Sequence, residues 1–422
     1  MCVVGDPAAQ RAIDTVWRAE AARIVAGLYR VVRDVGLAEE LAQDALVAAL
    51  EQWPESGVPD NPGAWLMLIA KRRAVDFLRR KETFDRKVAE IGRDLSDREE
   101  SFEAEVDEAV DDHIGDNLLS LLFTACHPVL SAESRVALTL RLLGGLTTDE
   151  IARACLVPEP TIAARITRAK KTLAAKKVPF EAPQGVELAA RLPSVLEVVY
   201  AIFNEGYSAT AGADWTRPTL CEEALRLGRL LAELTPDQPE VHGLAALMEI
   251  QASRMRARIG PDRKPVLLLD QDRALWDHVL IRRGLTALDR AFAVGTPIGP
   301  YTLQAAIAAC HARAATAEDT DWQRIVDLYD LLAKVAPSPV VDLNRAVAVS
   351  MATGPAPALA IVDALLAEPA LARYHLLPSV RGDLLAKLGR SAEARAEFER
   401  AAGLTRNESE RELLLARARA LP

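Results

Sequence analysis

Two basic segments of the chain carry residue types that could bind a polyanion. In "AKRRAVDFLRRK" (residues 70–81), six cations fall within eleven residues: Lys71, Arg72, Arg73, Arg79, Arg80 and Lys81. Only Asp76 opposes them. Clustered lysines and arginines neutralise phosphates, and such binding weakens steeply as salt rises. The segment therefore predicts a phosphate-binding stripe, with an intrahelical ion pair of Asp76 with Arg79 or Arg80 as the alternative.

The second segment, "LTTDEIARACLVPEPTIAARITRAKKTL" (residues 146–173), predicts two short helices around a tight turn. Thr147 or Thr148 can cap the first helix, and Glu150 stands close to the position of a capping box. Pro158 and Pro160 suit a turn and the first turn of the next helix. In that helix an apolar stripe recurs at helical spacing: Ile162, Ile166, Ala169 and Leu173.

The remaining faces of the second helix are suited to a DNA groove. Small residues near its start allow close approach, while guanidinium groups can reach guanine edges or phosphates. The candidate DNA contacts are Thr161, Ala163, Ala164, Arg165, Thr167, Arg168, Lys170 and Lys171. From the helix pair alone, a basic amphipathic pair on a protein surface remains the alternative reading.

Charge is distributed unevenly along the 422 residues, whose formal net charge is -9. Residues 1–81 are neutral, residues 82–117 carry -10, residues 118–180 carry +5, and residues 181–422 carry -4. The apolar-poor acidic segment is typical of a solvated linker that is partly helical at most. The acidity of the whole chain is thus no argument against a nucleic-acid partner.

The elements that must position the basic residues are helical. Apolar residues recur at three- and four-residue steps in Ala12–Val35, Leu37–Trp53, Ala64–Arg80, Leu118–Cys126 and Ser131–Leu143, and in most of the C-terminal half. The pattern predicts an all-α fold. Within Ala64–Arg80 it predicts burial of Trp65, Leu68, Ile69, Val75 and Leu78 and exposure of the six cations. Within Leu37–Trp53 it predicts a polar face of Glu39, Glu40, Gln43 and Asp44.

A specific resemblance joins these segments. The pattern W-L-x-x-I-A-x-x-x-A-x-D-x-L-R-R, preceded by an acidic helix and a Pro/Gly loop, resembles region 2 of the extracytoplasmic-function sigma factors of bacterial RNA polymerase. The downstream pattern L-T-x-x-E-I-A-x-x-x-x-V-P-x-x-T-I-x-x-R-I-x-R-A-K-x-x-L resembles their region 4. Both occur in the family's order, across residues 10–177. Two positions depart from the family: Arg72 replaces a common asparagine, and Leu156 replaces a glycine of the tight turn.

The resemblance implies roles for individual residues. Three residues would face the clamp helices of the polymerase β′ subunit: Glu40, Gln43 and Asp44. The loop from Pro54 to Gly63 would hold a flipped base of the -10 promoter element, and the -10 DNA would contact Trp65, Lys71, Arg72, Arg73, Arg79 and Arg80. The region 4 helix would read the -35 element with the eight candidate contacts named above. The partners implied are core RNA polymerase, through the β′ clamp helices and the β flap, and promoter DNA.

The C-terminal half adds helix pairs that a minimal sigma factor lacks. The expected pairs are Cys221–Leu234 with Pro239–Ile259, Asp272–Val294 with Thr302–Ala315, Trp322–Ala336 with Val340–Thr353, and Pro357–Ala367 with Ser379–Leu388. In "KLGRSAEARAEFERAAGL", Ala394 and Phe398 have tetratricopeptide-repeat spacing. Together with "FTACHPVLSAESRVALTLRLLGG", "IFNEGYSA" and "DLNRAVAV", this half resembles the extension of one sigma-factor subgroup. Such an extension implies regulation and a protein partner or signal on the repeats.

Other classes of function find little support in the residues. The sequence contains no C-x-x-C pair, H-E-x-x-H, P-loop or G-x-S-x-G, which argues against a metal, a cofactor or an enzyme. No apolar run is long enough to span a membrane, and the N-terminal residues lack the order of a secretion signal, which favours the cytoplasm. Asn204, Glu205, Tyr207 and His311 could line a pocket or could be satisfied polar groups at helix ends.

The predicted organisation is therefore region 2 in residues 1–81, a linker in 82–117, region 4 in 118–180 and a regulatory tetratricopeptide-like extension in 181–422. The leading hypothesis is a promoter-specificity subunit regulated by that extension. Two alternatives stay open: a stand-alone helix-turn-helix regulator with a repeat-built sensor domain, and a scaffold of repeats that binds protein only.

Overall fold

The computed structural model describes residues 7–89, 114–155, 157–209, 211–212, 215–261, 264–295 and 297–422. Most of the acidic linker, residues 90–113, and the turn residue Leu156 lie outside these ranges. Contacts divide the chain into two compact units, unit 1 (residues 1–198) and unit 2 (residues 199–422). The predicted all-α fold is confirmed: the described residues form 18 α-helices and, besides short 3-10 turns, two strands of two residues each. No helix among them is both long and apolar enough to cross a bilayer.

Unit 1 is built from eight helices, the last of which continues into unit 2. They are α1 (Pro7–Val32), α2 (Val35–Ser56), α3 (Pro62–Ala89), α4 (Ile114–Ala125), α5 (Ala132–Leu142), α6 (Thr148–Cys155), α7 (Glu159–Ala175) and α8 (Gly185–Tyr207). Helix α1 is central, because it packs against α2, α3 and α4. Helix α3 extends nine residues beyond the predicted end at Arg80, and its last eight residues lie in the segment expected to be linker.

Short polar side chains fix where these helices begin. The Asp34 carboxylate accepts a hydrogen bond from the Leu37 amide (2.9 Å), and the Asn61 side chain accepts one from the Ala64 amide (3.1 Å). Ser131 caps α5 in the same way. At α6 the predicted capping box is present: the Thr147 hydroxyl accepts from the Glu150 amide (3.1 Å), and the Glu150 carboxylate accepts from the Thr147 amide (2.8 Å).

The first half of α8 belongs to unit 1 through polar contacts with the end of α4. Arg191 donates a hydrogen bond to the Phe123 carbonyl (3.1 Å), and the Ser194 hydroxyl donates one to the Cys126 carbonyl (2.7 Å). The helix therefore starts beyond the predicted end of region 4 and still packs with it.

Unit 2 continues with ten helices: α9 (Pro218–Leu234), α10 (Pro239–Ala252), α11 (His278–Val294), α12 (Pro300–Arg313), α13 (Trp322–Val335), α14 (Pro339–Thr353), α15 (Pro355–Leu365), α16 (Leu376–Lys387), α17 (Ser391–Leu404) and α18 (Glu408–Ala420). The strands β1 (Ala211–Gly212) and β2 (Arg406–Asn407) pair in parallel and join the start of this unit to its end. The apolar core falls into successive clusters shared by neighbouring helices, as expected of stacked helix pairs.

One expected helix pair is wrong in its partners. Helices α11 and α12 pack mainly against α10 rather than against each other. Glycines allow these close approaches: a Cβ at Gly243 would lie 2.3 Å from the Thr302 hydroxyl, and one at Gly284 would lie 2.5 Å from Ile250. Because α10 is buried almost all round, it carries both neighbours at once.

The remaining pairs are close to those predicted. Helices α13 and α14 pack together, as do α15 and α16. In α17, Ala394 and Phe398, which have the repeat spacing, are both buried. Ser338 caps α14, and Arg345 pairs with Asp330 on the preceding helix (2.6 Å). Helix α12 is held by a carboxylate remote in sequence, since Glu240 accepts from the amides of Tyr301 (2.8 Å) and Thr302 (3.0 Å).

Candidate nucleic-acid and polymerase interface

The outward face of α3 carries most of the predicted -10 contacts. Arg72, Arg73, Arg79 and Arg80 are all exposed, as is Asp76 between them. Phe77 and Leu68 are exposed as well, at 37% and 45%. The face therefore combines guanidinium groups with apolar side chains, the combination that can neutralise phosphates and also pack on sugars or bases.

Two expectations for α3 were wrong, and in both cases the reason is that alanines form part of its core face. The core face of the helix is formed by Leu66, Ala70 and Ala74, at successive four-residue steps. Leu68 was expected in the core and instead faces out. Lys71 was expected on the surface, yet it is only 9% exposed, because it lies beside Ala70 on the inward side. Alanine gives a weak periodic signal, so the stripe was assigned to the larger residues.

Trp65 lies at the start of α3 and is half-buried. Its ring meets the buried Trp53 of α2 edge-on, with 5.3 Å between centroids. The chain between them turns through Gly57, which has φ +84°, and exposes Val58. The two tryptophans thus anchor the loop that the resemblance assigns to a flipped base.

Helix α7 exposes the predicted -35 face. Its buried stripe is Ile162, Ile166, Ala169 and Leu173, as predicted. Five predicted contacts are exposed: Ala163, Ala164, Thr167, Arg168 and Lys171. The other three, Thr161, Arg165 and Lys170, are half-buried. Pro158 is the N-cap residue and Pro160 lies in the first turn, as the sequence indicated.

The predicted polymerase-facing residues of α2 differ in exposure. Glu40 is exposed, while Gln43 and Asp44 are half-buried. Glu39 was expected on the same solvated face, but it is only 6% exposed. The expectation was wrong for Glu39 because α5 and α7 supply cations that receive its carboxylate.

Glu39 joins region 2 to region 4 within unit 1. Its Oε1 accepts a hydrogen bond from Arg141 Nε of α5 at 2.5 Å, and its Oε2 pairs with Lys170 of α7. A buried carboxylate flanked by two cations resists removal of any one partner. Lys170 was predicted to contact promoter phosphate, and in this arrangement its ammonium group is instead occupied by Glu39.

A second link joins α1 to α6. The Arg18 side chain pairs with Glu150, the glutamate of the capping box. Nearby, Gly145 adopts φ +65° and a Cβ there would lie 3.5 Å from the Arg18 backbone. Sequence patterns cannot find such pairs, because the partners are 132 and 102 residues apart for Arg18–Glu150 and Arg141–Glu39.

Two cysteines, Cys126 and Cys221, are buried in the core. Burial raises the pKa of both Cys126 and Cys221 to about 12, so their thiols are protonated at neutral pH. Across the described ranges, no group of three histidine, cysteine or acidic side chains is arranged to hold a metal ion.

Comparison with protein families places known domains on these elements. The family model for Sigma-70 region 2 matches residues 16–83, and that for Sigma-70 region 4 matches residues 120–173. A family of unknown function (DUF6596) matches residues 191–292. The region 2 and region 4 matches cover α3 and α7, the helices whose exposed faces are cationic.

Curated relatives support the same assignment. ECF RNA polymerase sigma factor SigK of Mycobacterium sp. (strain KMS) is 31% identical over 152 residues, which is 34% of this chain and 72% of the relative. The chain belongs to the extracytoplasmic-function family of RNA polymerase sigma factors. The SigK of Mycobacterium bovis (strain BCG / Pasteur 1173P2) is 28% identical over 155 residues, 36% of this sigma factor and 78% of the relative.

A longer match covers the C-terminal extension. "Uncharacterized protein R00370" of Rhizobium meliloti (strain 1021) is 46% identical over 387 residues, 91% of this sigma factor and 89% of the relative. No solved structure matches the chain significantly. The paired region 2 and region 4 matches decide against the stand-alone regulator and the protein-only scaffold, since neither requires region 2. The family consists of transcription-initiation subunits that bind DNA, not of enzymes.

Proposed function

We propose that this sigma factor recruits core RNA polymerase to promoters by reading a -10 element with α3 and a -35 element with α7. The observation that carries the proposal is that unit 1 presents two separate cationic helix faces together with the exposed Glu40. Exposed cations on two helices can neutralise phosphates at two places on one duplex.

At the -10 element, Arg72, Arg73, Arg79 and Arg80 provide the cationic surface of α3. Trp65 lies close to the loop between α2 and α3, which is shorter than predicted and spans residues 57–61. A flipped base could stack on its aromatic ring there. Lys71 is buried beside this face, so it positions the helix. It can contact the -10 DNA only if α3 moves. Base preferences at this element depend on the loop, whose Val58 is exposed.

At the -35 element, α7 offers exposed small residues near its start and exposed Arg168 and Lys171 farther along. Thr161, Arg165 and Lys170 complete the contact surface after a rearrangement. Lys170 cannot neutralise a phosphate while it neutralises Glu39, so promoter binding and the region 2–region 4 contact compete for one cation. Such competition couples DNA binding to the opening of unit 1.

We propose that Glu40, Gln43 and Asp44 of this sigma factor bind the β′ clamp helices of core polymerase, and that its region 4 binds the β flap. Glu40 is the most accessible of the three carboxylate and amide side chains. Because the holoenzyme assembles where core polymerase is found, we also propose that the protein acts in the cytoplasm.

The polymerase contact can be tested by fluorescence anisotropy of the labelled full-length protein with core enzyme. We expect Glu40→Ala to raise the Kd about tenfold, since loss of one well-placed interface charge costs about 1–2 kcal/mol. Glu51→Ala, an exposed glutamate farther along the same helix, is the matched control and should leave the Kd unchanged. Equal Kd values for both variants and the wild type would mean that Glu40 of α2 does not contribute to the interface with core polymerase.

Regulation by the helical extension is the last part of the proposal, supported by its stacked helix pairs and by the long relative that shares it. A fragment of residues 1–208 retains all of α8, whose first half packs on α4. Promoter-dependent transcription by this fragment should differ at least severalfold from that of the full chain. Greater activity of the fragment would make the extension inhibitory, and lower activity would make it activating. Equal activity with core polymerase, for a fragment shown to be folded by circular dichroism, would refute regulation by the extension.

A further inference from the structure

Unit 2 contains a ladder of alternating aromatic rings and guanidinium groups, here called the arginine ladder. Its members, in spatial order, are Trp215, Arg258, Tyr207, Arg254, Trp276 and Arg273. The closest step places the Arg258 guanidinium carbon 3.8 Å from the centre of the Tyr207 ring, and the next places Arg273 4.6 Å from Trp276. The three remaining steps are 5.6–5.9 Å.

The ladder concentrates positive charge in a poorly solvated place. Arg254 is 8% exposed and Trp276 is 4% exposed. Burial, and then the charge of Arg254, lowers the pKa of Arg273; burial likewise lowers the pKa of Arg258, with Arg254 contributing to the same direction. Like charges that depress one another's pKa in a buried cluster are costly unless an anion compensates them.

Arg258 and Arg273 form hydrogen bonds to neutral groups, although the more distant carboxylates of Glu318 and Asp319 raise the pKa of Arg273. Arg258 donates to the Tyr207 carbonyl (3.1 Å), and Arg273 donates to the carbonyls of His311 (2.5 Å) and Ala314 (2.8 Å). Among the residues that the structure describes, no carboxylate forms an ion pair with Arg254, Arg258 or Arg273. Buried charges in proteins are normally paired.

The unmet hydrogen bonds of the ladder are mainly those of donors. Buried nitrogens without an acceptor in the structure are Nε of Arg254, Nε of Arg258, and the indole nitrogens Nε1 of Trp215 and Trp276. Nδ1 of the neighbouring His311, a residue that is 8% exposed, is also without a partner. Indole and guanidinium nitrogens donate only, so the ladder requires acceptor atoms.

Stacking leaves the arginines suited to one kind of ligand. A guanidinium that stacks on a ring through its face keeps its in-plane N–H groups for a planar or tetrahedral oxyanion. We propose that the arginine ladder is a binding site for a small-molecule oxyanion, a carboxylate or a phosphate group. The proposal is independent of the promoter-binding function and assigns a ligand chemistry to the part of unit 2 that matches the family of unknown function.

The ladder carries its own reporters, because two of the six tryptophans of the chain belong to it. The test is titration of the full-length protein with inorganic phosphate and, separately, with acetate, at an ionic strength held constant with chloride. Tryptophan emission and the melting temperature are the two readouts. We expect at least one oxyanion to give a saturable change in emission and a rise in Tm that follows the same apparent Kd.

Matched variants separate the ladder from general surface charge. Arg256 lies on the same short 3-10 helix (Met255–Arg258) as Arg258 but is exposed. Arg258→Gln should weaken binding at least tenfold, while Arg256→Gln should bind as the wild type does. Trp276→Phe keeps an aromatic ring but removes an unpaired donor, and should weaken binding severalfold in a folded protein, even where Arg258→Gln fails to fold.

The outcomes decide the proposal. Saturation by phosphate alone identifies a phosphate site, saturation by acetate alone identifies a carboxylate site, and either result supports the ladder. Absence of a saturable response to both ions overturns the proposal. An equal loss for Arg256→Gln and Arg258→Gln, or wild-type binding by both Arg258→Gln and Trp276→Phe, also overturns it.

Discussion

Arg72 and Arg73 on α3 and Arg254 and Arg258 in unit 2 are pairs of the same residue type in opposite surroundings. The first pair is exposed on a helix face, whereas the second lies beside aromatic rings and has buried Nε atoms without a hydrogen-bond partner. Exposed cations are well hydrated and are available to a large polyanion in a salt-dependent way. Buried cations are poorly hydrated and select a small, specific counter-charge.

A cationic residue therefore indicates the kind of partner only when its exposure to solvent is known as well. The net charge of +5 in residues 118–180 supports DNA binding because four of those cations are exposed: Arg168, Lys171, Lys176 and Lys177. Residues 181–422 carry a net charge of -4, yet they contain the arginine ladder, in which Arg254 is buried.

The buried environment predicts a pH-dependent stability of unit 2. Burial, and then the charges of Arg254 and Arg273, lower the pKa of His311 from 6.5 to about 4. The unfolded chain therefore takes up this proton at a higher pH than the folded one. The contribution of neutral His311 to the free energy of unfolding is complete above about pH 6.5. It is lost progressively as the pH falls to about 4, by up to about 3 kcal/mol.

Urea unfolding at a series of pH values between 4 and 7 checks this prediction. His311→Gln should flatten the pH dependence in that window, whereas His278→Gln, at an exposed histidine of α11, should reproduce the wild-type curve. Identical curves for His311→Gln and the wild type would mean that His311 does not share the cationic environment of Arg254 and Arg273.

The buried Glu39 should behave differently from its exposed neighbour Glu40. Glu39→Gln leaves Arg141 and Lys170 without their shared carboxylate, so the free energy of unfolding of unit 1 should fall by about 1–3 kcal/mol. The lower end applies if the two cations become hydrated, because both are partly exposed already. Glu40→Gln should change it by less than about 0.5 kcal/mol.

The same substitution releases Lys170 toward DNA. Binding of a -35 duplex by Glu39→Gln should be severalfold tighter than by the wild type, in proportion to the competition for Lys170. Unfolding monitored by circular dichroism and DNA binding monitored by anisotropy provide the two readouts. A stability loss without any gain in DNA affinity would contradict the competition.

The exposed environment predicts a salt-dependent contribution of Arg72 and Arg73. Replacing both with glutamine should weaken promoter binding by the holoenzyme about tenfold near physiological salt. It should also reduce the slope of log K against log salt by about 1.8, since each phosphate contact contributes about 0.9.

The control for this pair lies in the other unit. Arg282 and Arg283 of α11 are also consecutive, exposed and helical, so their double substitution changes the net charge equally. It should leave promoter affinity and the salt slope unchanged. If both double variants lose promoter affinity equally, the effect comes from the total charge of the protein, and the arginines of α3 do not contact the promoter specifically.

The sequence predicted most of what depends on local patterns. The stripe of Ile162, Ile166, Ala169 and Leu173 and the capping box of Thr147 and Glu150 are both present, because each rests on residues within a few turns of helix. The helical pattern also predicted the exposure of Arg72, Arg73, Arg79 and Arg80 of α3, and all four are exposed. Their contacts with DNA and polymerase remain predictions.

What the sequence could not predict depends on partners remote along the chain. Glu39 looks like any glutamate on a polar face until Arg141 and Lys170 are brought beside it. Lys71 looks exposed because the neighbouring alanines give little periodic signal. The arginine ladder brings together residues between 207 and 276 in the sequence. The sequence alone points to a pocket only at Tyr207 and at the nearby His311, because the other members of the ladder form no motif.

The central claim is that this chain gives core RNA polymerase promoter specificity. Run-off transcription with core polymerase, the full-length protein and genomic promoter fragments tests it most directly. We expect discrete transcripts that require the protein and that are reduced about tenfold by the Arg72→Gln/Arg73→Gln double variant, but not by Arg282→Gln/Arg283→Gln. Absence of any protein-dependent transcript, with core enzyme shown to be active with another sigma factor and no co-purification of this protein with core, would contradict it.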